Sequence, residues 1–459
     1  MGGHAWGMRI LFLLMLLLGA ARGADRPWNL IVMLIDDMGA TDLGCTGSDF
    51  YKTPHIDALA REGMKFTHAY SACTVCSPTR AALMTGKAPG RLHITDWIAG
   101  HRRPNAKLLP PDWCKELPAA ETTLPEALAP KGYASGIFGK WHLGDASPLE
   151  HGFAVNLGGY NRGQPATWFS PYKNPALKDG PPGEFLTERL TAEVEAFMTA
   201  KREQPFLVYY PHYAVHTPLG GKPEVIAKYK AAGGADKAHT NAVYASMVES
   251  VDDSVGRLRA KLKELKLDDR TVFIFTSDNG GLLGGKQPIT INKGLRAGKG
   301  SVWEGGVRVP LIIHWPGLTK PGSECAEPVI TMDLHATIIA ANGGTPHADG
   351  RDLRPLLSGG TLPERALYWH YPHYHPGGAT PYSAILAGGW RLERFYEDGR
   401  EELYHLTEDP LEAKNLAASH TEQKAKLSAQ LDALLKAAGA QMPLPNPAWD
   451  KSGQDAFDR

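Results

Sequence analysis

The chain has 459 residues, with 49 Lys and Arg against 49 Asp and Glu, a formal net charge of zero and 43 % apolar residues. That length suits one large or two modest domains with a substantial core. The balanced charge and ordinary apolar fraction argue against a disordered chain or a broad nucleic-acid surface, so any anion recognition has to be local.

Residues 1–23 have the pattern of a secretory signal. His4 and Arg9 precede the apolar run from Ile10 to Leu18, and Ala21 and Gly23 supply small residues before a cut ahead of Ala24. The run is too short to span a membrane comfortably. The expectation is an exported protein, periplasmic or secreted, with no membrane anchor after cleavage. Of the five cysteines, Cys45, Cys73, Cys76, Cys114 and Cys325, four remain to pair if Cys76 is used for chemistry, which is not the density of a disulfide-built scaffold.

Asn29 to Ile35 is a continuous apolar run, the pattern of a strand buried on both faces in a parallel sheet, and it ends in Asp36-Asp37-Met38-Gly39. Ligands gather at the carboxyl ends of such strands, and two adjacent carboxylates there repel each other unless a cation or base neutralises them. A hard divalent cation is the natural answer. Thr53 to Gly63 predicts a helix, with Thr53 as cap, Pro54 at the first position and Gly63 as stop.

Cys73 to Gly86 predicts a second short helix with Cys76 at its mouth and Arg80 one turn on, on the same face. A reactive side chain then sits at the positive end of a helix beside a fixed cation, a pocket suited to an anion. Further on, a helix is expected near 122–131 and a strand at 133–138, leading into Gly139-Lys140-Trp141-His142-Leu143-Gly144. Lys140 and His142 alternate along an extended segment and so point to one side.

Residues 145–183, rich in Gly, Pro and Asn, read as a long excursion contributing to a binding rim. A helix over 184–202 and a strand over 205–210 then deliver His212 and His216-Thr217-Pro218. Met247, Val251, Val255 and Leu258 share one face of a helix over 238–265. Thr271 to Thr276 is a second buried strand, followed by Ser277-Asp278-Asn279-Gly280. Asp36 and Asp37 with Asp278 and Asn279 would make an oxygen cage suited to calcium; magnesium stays open, and a zinc cluster of nitrogen and sulfur ligands is not indicated.

A strand at 311–314 and a helix at 333–341 complete the large domain. From about Ala366 the pattern changes to short aromatic-rich strands at 366–371, 382–386, 390–396 and 401–406, then helices to about Ala438. The division expected is a catalytic domain over 24–360, a subdomain over 361–440 and a weakly ordered tail over 441–459.

Four blocks occur in a fixed order: Cys76-x-Pro78-x-Arg80 followed by Thr85-Gly86; Gly139 to Gly144; His216-x-Pro218; and Lys299 five residues before Glu304-Gly305-Gly306. Together they resemble the formylglycine-dependent sulfatases of the alkaline phosphatase superfamily, closest to the arylsulfatase A-like and N-acetylgalactosamine-sulfatase-like members. The resemblance implies an α/β fold with a large, mostly parallel central sheet flanked by helices and a small C-terminal antiparallel subdomain. It implies that a maturation enzyme oxidises Cys76 to formylglycine, whose hydrate supplies the attacking oxygen. One calcium ion would be held by Asp36, Asp37, Asp278, Asn279 and an oxygen of modified Cys76.

In the same implied scheme Arg80, Lys140 and Lys299 bind the sulfate. His142 is the base acting on the hydrate, and His216, preferred over a supporting His212, protonates the departing alcohol. Glu304 and Arg308 hold the loop. The substrate expected is a sulfated sugar or polysaccharide, with a galactose or N-acetylgalactosamine unit as the hypothesis and Trp97, His101, Arg102, Arg103 and His375 as rim candidates. Two rival readings are a phosphonate monoester hydrolase or phosphodiesterase on the same scaffold, and a non-catalytic sulfoglycan-binding protein with Cys76 unmodified.

Overall fold

A computed structural model describes residues 26–233, 239–285, 288–453 and 456–457; the leader expected at 1–23 lies outside them. β1 (Asn29–Ile35) is buried along its whole length. The chain continues through α1 (Pro54–Glu62), β2 (Met64–Phe66), α2 (Cys76–Thr85), β3 (Ala134–Phe138), β4 (Val155–Leu157), α3 (Leu186–Ala200) and β5 (Phe206–Pro211). Next come α4 (Ala242–Glu264), β6 (Thr271–Ser277), β7 (Leu311–His314), β8 (Ser323–Cys325) and α5 (Thr331–Ala341).

These strands form one eight-stranded sheet in the order β8-β2-β7-β6-β1-β5-β3-β4. All pairings are parallel except the two made by β7. β1 has neighbours on both sides, β5 and β6, so its two faces must both be apolar. Met33 and Ile35 pack into one helical layer with Val251 and Val255 of α4, whereas Val32 and Leu34 face the opposite layer with Ala81 of α2 and Ile338 of α5. The carboxyl ends of β1, β5, β6 and β3 therefore meet along one edge, where an open α/β sheet gathers its ligands.

A separate antiparallel sheet follows, β9 (Leu367–Tyr371), β10 (Tyr382–Ala387), β11 (Trp390–Phe395) and β12 (Glu401–His405), in sequential order. α6 (Thr421–Ala438) covers one face, with Leu427, Leu431 and Leu435 against Ile385, Leu392 and Leu403. Trp369, Tyr371 and Phe395 on the other face pack with Tyr70, Val302 and Val307 of the large domain. The fold class read from the sequence is the one observed.

Past Gln441, where the composition predicts little order, the chain is instead held by backbone pairing: Leu444 and Pro445 lie antiparallel to Leu109 and Leu108. Pro and Asn residues suggest disorder locally, but the partner strand is more than 300 residues away in sequence and leaves no local signal. All five cysteines are unpaired. Among the described residues no helix is long and apolar enough to cross a membrane.

Candidate active site

The ladder of the central sheet continues beyond its strands and fixes the site's backbone. Asp36 N donates to Ala214 O (3.1 Å), Asp278 N to Ile35 O (3.1 Å), His212 N to Leu34 O (2.9 Å) and Lys140 N to Pro211 O (2.8 Å). At Asp37 the chain turns into the left-handed region, φ 63°. This is a costly conformation for a non-glycine residue, and it lets two neighbouring carboxylates serve different partners.

Asp36 Oδ2 accepts from Lys140 Nζ at 2.7 Å. Asp37 Oδ1 accepts from Lys299 Nζ at 2.7 Å and from Asn279 Nδ2 at 2.8 Å. Asp278 Oδ2 takes a two-pronged contact from Arg80, Nε at 2.9 Å and Nη2 at 2.7 Å, while its Oδ1 accepts from Asp37 N. Arg80 also donates through Nη1 to Lys140 O at 3.0 Å. Three carboxylates thus face three cations, all of them 9 % exposed or less.

α2 begins at Cys76 and ends at Gly86, whose φ of 71° supplies the left-handed cap. Cys76 therefore sits at the helix mouth, 2 % exposed, with Sγ 3.5 Å from His142 Nδ1. The other ring nitrogen of His142 contacts Ile98 O. His216 Nε2 stands 3.7 Å from Asp37 Oδ2, and its Nδ1 meets Thr217 O. His212 stacks on Tyr210 at 3.9 Å instead.

Burial pushes the Asp36 carboxyl upward, and Lys140 pulls it back toward the ionised form. Burial also opposes charge on Asp37, but Lys299 and then His216 override it and hold that carboxyl below the usual range. His142 is held far below its ordinary value, first by burial and then by Lys140 and Arg80. His216 is lowered to about 3 by burial and Lys299. Both imidazoles therefore favour the uncharged form, which leaves one ring nitrogen of each free to accept, and an anion beside them would strengthen them as bases.

Three buried oxygens have no hydrogen-bond donor: Asp36 Oδ1, Asp37 Oδ2 and Asn279 Oδ1. Ligand atoms of Asp36, Cys76 and Asp278 lie within 4.8 Å of one another, as do those of Asp36, Asp37 and His216. Orphaned buried carboxylate and amide oxygens are expensive to leave unsatisfied, and a set of hard oxygen donors matches calcium or magnesium. The donor set fits the cation expected from the sequence.

Cys76, His142, His216 and Lys299 open into a cleft of about 820 Å³, and the carboxylates of the cage lie behind them, joined to the cleft through the Lys299–Asp37 pair. One wall is aromatic. Trp97 Nε1 donates to His101 Nδ1 at 2.8 Å, and the His101 ring meets His375 edge-on at 4.8 Å. Of the rim candidates, Trp97, His101 and His375 line the cleft, whereas Arg102 and Arg103 do not. Arg103 lies over the Tyr374 ring at 4.4 Å, because the loop carrying it turns outward after His101. His370 and His373 are held elsewhere by Ser383 and Thr95.

The opposite wall holds Lys115, Asp145, Asn161, Arg162 and Gln164. No motif in the sequence marks any of these five. Four of them belong to the 145–183 excursion, whose Gly and Pro content was the only signal available.

With this geometry in view, the chain matches the Sulfatase family over residues 28–344, and the family described as N-sulphoglucosamine sulphohydrolase, C-terminal, over residues 298–441. It is 34 % identical over 397 residues to N-acetylgalactosamine-6-sulfatase of Canis lupus familiaris, covering 80 % of this chain and 73 % of that one. It is 32 % identical over 421 residues to arylsulfatase A of Homo sapiens, covering 83 % and 78 %. The crystal structure of Ps i-CgsB in complex with k-i-k-neocarrahexaose superposes with a TM-score of 0.74 at 27 % identity, covering 89 % of this chain and 93 % of that one. Since the family match runs from the start of β1 past the end of α5, and curated relatives exceed 30 % identity over most of their own length, this chain belongs to the sulfatase family and is a sulfuric ester hydrolase.

Proposed function

We propose that the protein hydrolyses a sulfate ester on a sulfated sugar, using an aldehyde formed from Cys76 and a calcium ion held by Asp36, Asp37, Asp278 and Asn279. The observation that carries this reading is the convergence of Cys76 and Lys299, which line one cleft with an aromatic wall, on three paired cations and three donor-less oxygens buried directly behind them. The relatives named for sulfated N-acetylgalactosamine and the neighbour bound to a carrageenan oligosaccharide support the sugar assignment. So do Trp97, His101 and His375, since aromatic rings present a flat apolar surface to the C–H face of a pyranose.

Conversion of Cys76 to the aldehyde would break its C–S bond, releasing the sulfur at the sulfide level, and form C=O with oxygen at the level of water, with two protons and two electrons passing to the oxidant of a separate maturation enzyme. A calcium ion held by Asp36, Asp37, Asp278 and Asn279 would supply charge neutralisation for the sulfate, and a hydrated aldehyde at position 76 would supply the attacking hydroxyl. Lys140 and Lys299, already fixed on Asp36 and Asp37, present their ammonium groups at the place where sulfate charge shifts, and need no rearrangement to do so. Arg80 is spent on Asp278 and Lys140 O, so its part is to fix the floor and add positive potential.

His142 Nδ1, neutral and beside the Cys76 side chain, is placed to take a proton there; the Ile98 carbonyl at its other nitrogen sets the ring's orientation. His216 is uncharged in the empty cleft. An anionic sulfate next to it, together with Asp37, would raise its proton affinity and let it protonate the leaving oxygen. The overall reaction converts the ester and water to an alcohol, sulfate and a proton.

Export by the leader at 1–23 completes the proposal; amino-terminal sequencing of the mature protein from its native host checks it, with Ala24 first. The activity is tested by turnover of 4-nitrophenyl sulfate, a phosphate diester and a panel of sulfated sugars, with and without a calcium chelator. Sulfate release from a sugar, lost on chelation and restored by calcium, is expected. Dominant diester turnover would overturn the assignment. Mass spectrometry of the Cys76 peptide should find it roughly 18 Da lighter than the thiol form.

A further inference from the structure

The loop from Thr95 to Lys107 has no helix or strand of its own, yet it carries Trp97 and His101 on the cleft wall and Ile98, whose carbonyl meets His142. Its near end is tied to the catalytic helix, since Ile98 N donates to Ser77 Oγ at 3.1 Å. Its far end is tied to the C-terminal segment. His370 Nε2 first pins the segment at Gln441 O, 2.8 Å away. Asn446 then donates its backbone N–H to Lys107 O at 3.1 Å and its side-chain amide to Ala106 O at 2.7 Å.

Asn105 and Asp450 exchange two hydrogen bonds of 2.8 Å, and Lys107 Nζ lies 5.9 Å from the centre of the Trp449 ring. Phe457 packs against His101, with ring centroids 5.6 Å apart, and under Arg103 at 5.4 Å. His101 is thereby held from three sides, by Trp97, His375 and Phe457. A long polar loop would otherwise leave such a ring free to turn.

We propose that Gln441–Gly453 together with Phe457 forms a strap that positions the Thr95–Lys107 loop and, through His101, sets the enzyme's preference for a substrate with a sugar ring beyond the sulfated one. The proposal rests on the sugar-sulfatase reading above. Phe457 is a positioning residue: it does not line the cleft and acts through His101. A small aryl sulfate reaches only the floor and has little need of the wall. A sulfated disaccharide places its second ring against Trp97 and His101 and depends on their being fixed.

The test compares the mature, full-length enzyme with Phe457→Ala and Asn446→Ala, plus a truncation after Pro443. Hydrogen exchange of residues 98–107 reports on tethering without any substrate; about tenfold faster exchange in Phe457→Ala is expected, and unchanged exchange would overturn the strap. In kinetics, KM for a 6-sulfated disaccharide containing N-acetylgalactosamine should rise about 3–10-fold, the range of a lost aromatic pair, with kcat/KM for 4-nitrophenyl sulfate changed less than about twofold. Equal losses on both substrates would mean general destabilisation and overturn the specificity role. If the wild type turns over the aryl sulfate but no sulfated sugar, the sugar reading and the strap's role in selection fall together, while the exchange result still decides whether the strap orders the loop.

Discussion

Two clusters of fully buried charge stand on either side of the Lys299–Glu304 loop, and they have opposite uses. One is the cage of Asp36, Asp37 and Asp278 with Arg80, Lys140 and Lys299. The other joins the antiparallel sheet to the large domain: Arg391 contacts Glu304, Glu393 and Glu412 at 3.1–3.2 Å, and Arg308 holds the second oxygen of Glu304 at 2.6 Å. Each contains a carboxylate oxygen that accepts no hydrogen bond, Glu393 Oε2 in the second case.

They differ in what those oxygens face. The cage reaches the cleft through Lys299 and its neighbours Cys76, His142 and His216, and has a cation for every carboxylate. The second cluster lies beneath Trp369, over whose ring Arg391 sits at 4.8 Å, and has more carboxylates than cations. It answers that excess by holding protons: burial first, then Glu393, pushes Glu412 well above the ordinary glutamate value. Burial and density of charge therefore mark a rivet as readily as an active site. Access to the cleft, together with charge balance that leaves donor-ready oxygens, distinguishes the latter.

The comparison is most sharply tested by paired substitutions. Cys76→Ala should lower kcat by roughly 10⁴-fold or more, since it deletes the attacking group, while thermal unfolding stays close to the parent. Arg391→Met should do the reverse. It leaves buried carboxylates without their cation and should lower stability by about 3–5 kcal/mol in chemical denaturation, with sulfatase activity persisting in the folded fraction. If Arg391→Met instead abolished activity without loss of stability, the division of labour would be wrong.

Lys299→Ala should cost about 10²–10³-fold in kcat, the scale of one preorganised charge contact in the transition state. The smallest effect is expected from Glu412→Gln. Glu412 has a raised folded pKa, so the native state keeps a proton that the unfolded chain releases above about 4.5. Wild-type stability is thus fullest below that pH and declines as pH rises toward the folded value. Glu412→Gln should flatten this decline between pH 5 and pH 8, read from urea midpoints; an identical slope would sink the protonation argument.

The sequence was most legible where local pattern and tertiary role coincide. β1 and β6 are apolar throughout because the sheet buries both their faces, and the acidic residues that follow them had to be polar at the sheet's edge. The pocket at the mouth of α2 could be read from Pro78 and Gly86 because helix ends have chemical signatures. What could not be read depends on loops meeting loops. Nothing near Ile98 announces that its carbonyl will orient His142, and Asn446 carries no mark of Lys107. Arg102 and Arg103 looked as suitable for the rim as His101, yet one turn of the loop separates them from it. Such placements follow from the complete topology, not from any periodicity.

The left-handed turn at Asp37 hands that carboxylate to Lys299, which enters the chain only after both strands that supply the acids. A fragment ending before residue 299 would own every acidic side chain of the cage and still lack the ammonium group that holds Asp37 ionised. The cation affinity proposed for the cage would accordingly be an attribute of the finished chain, and its appearance during refolding would time the arrival of the last loop rather than the formation of the sheet.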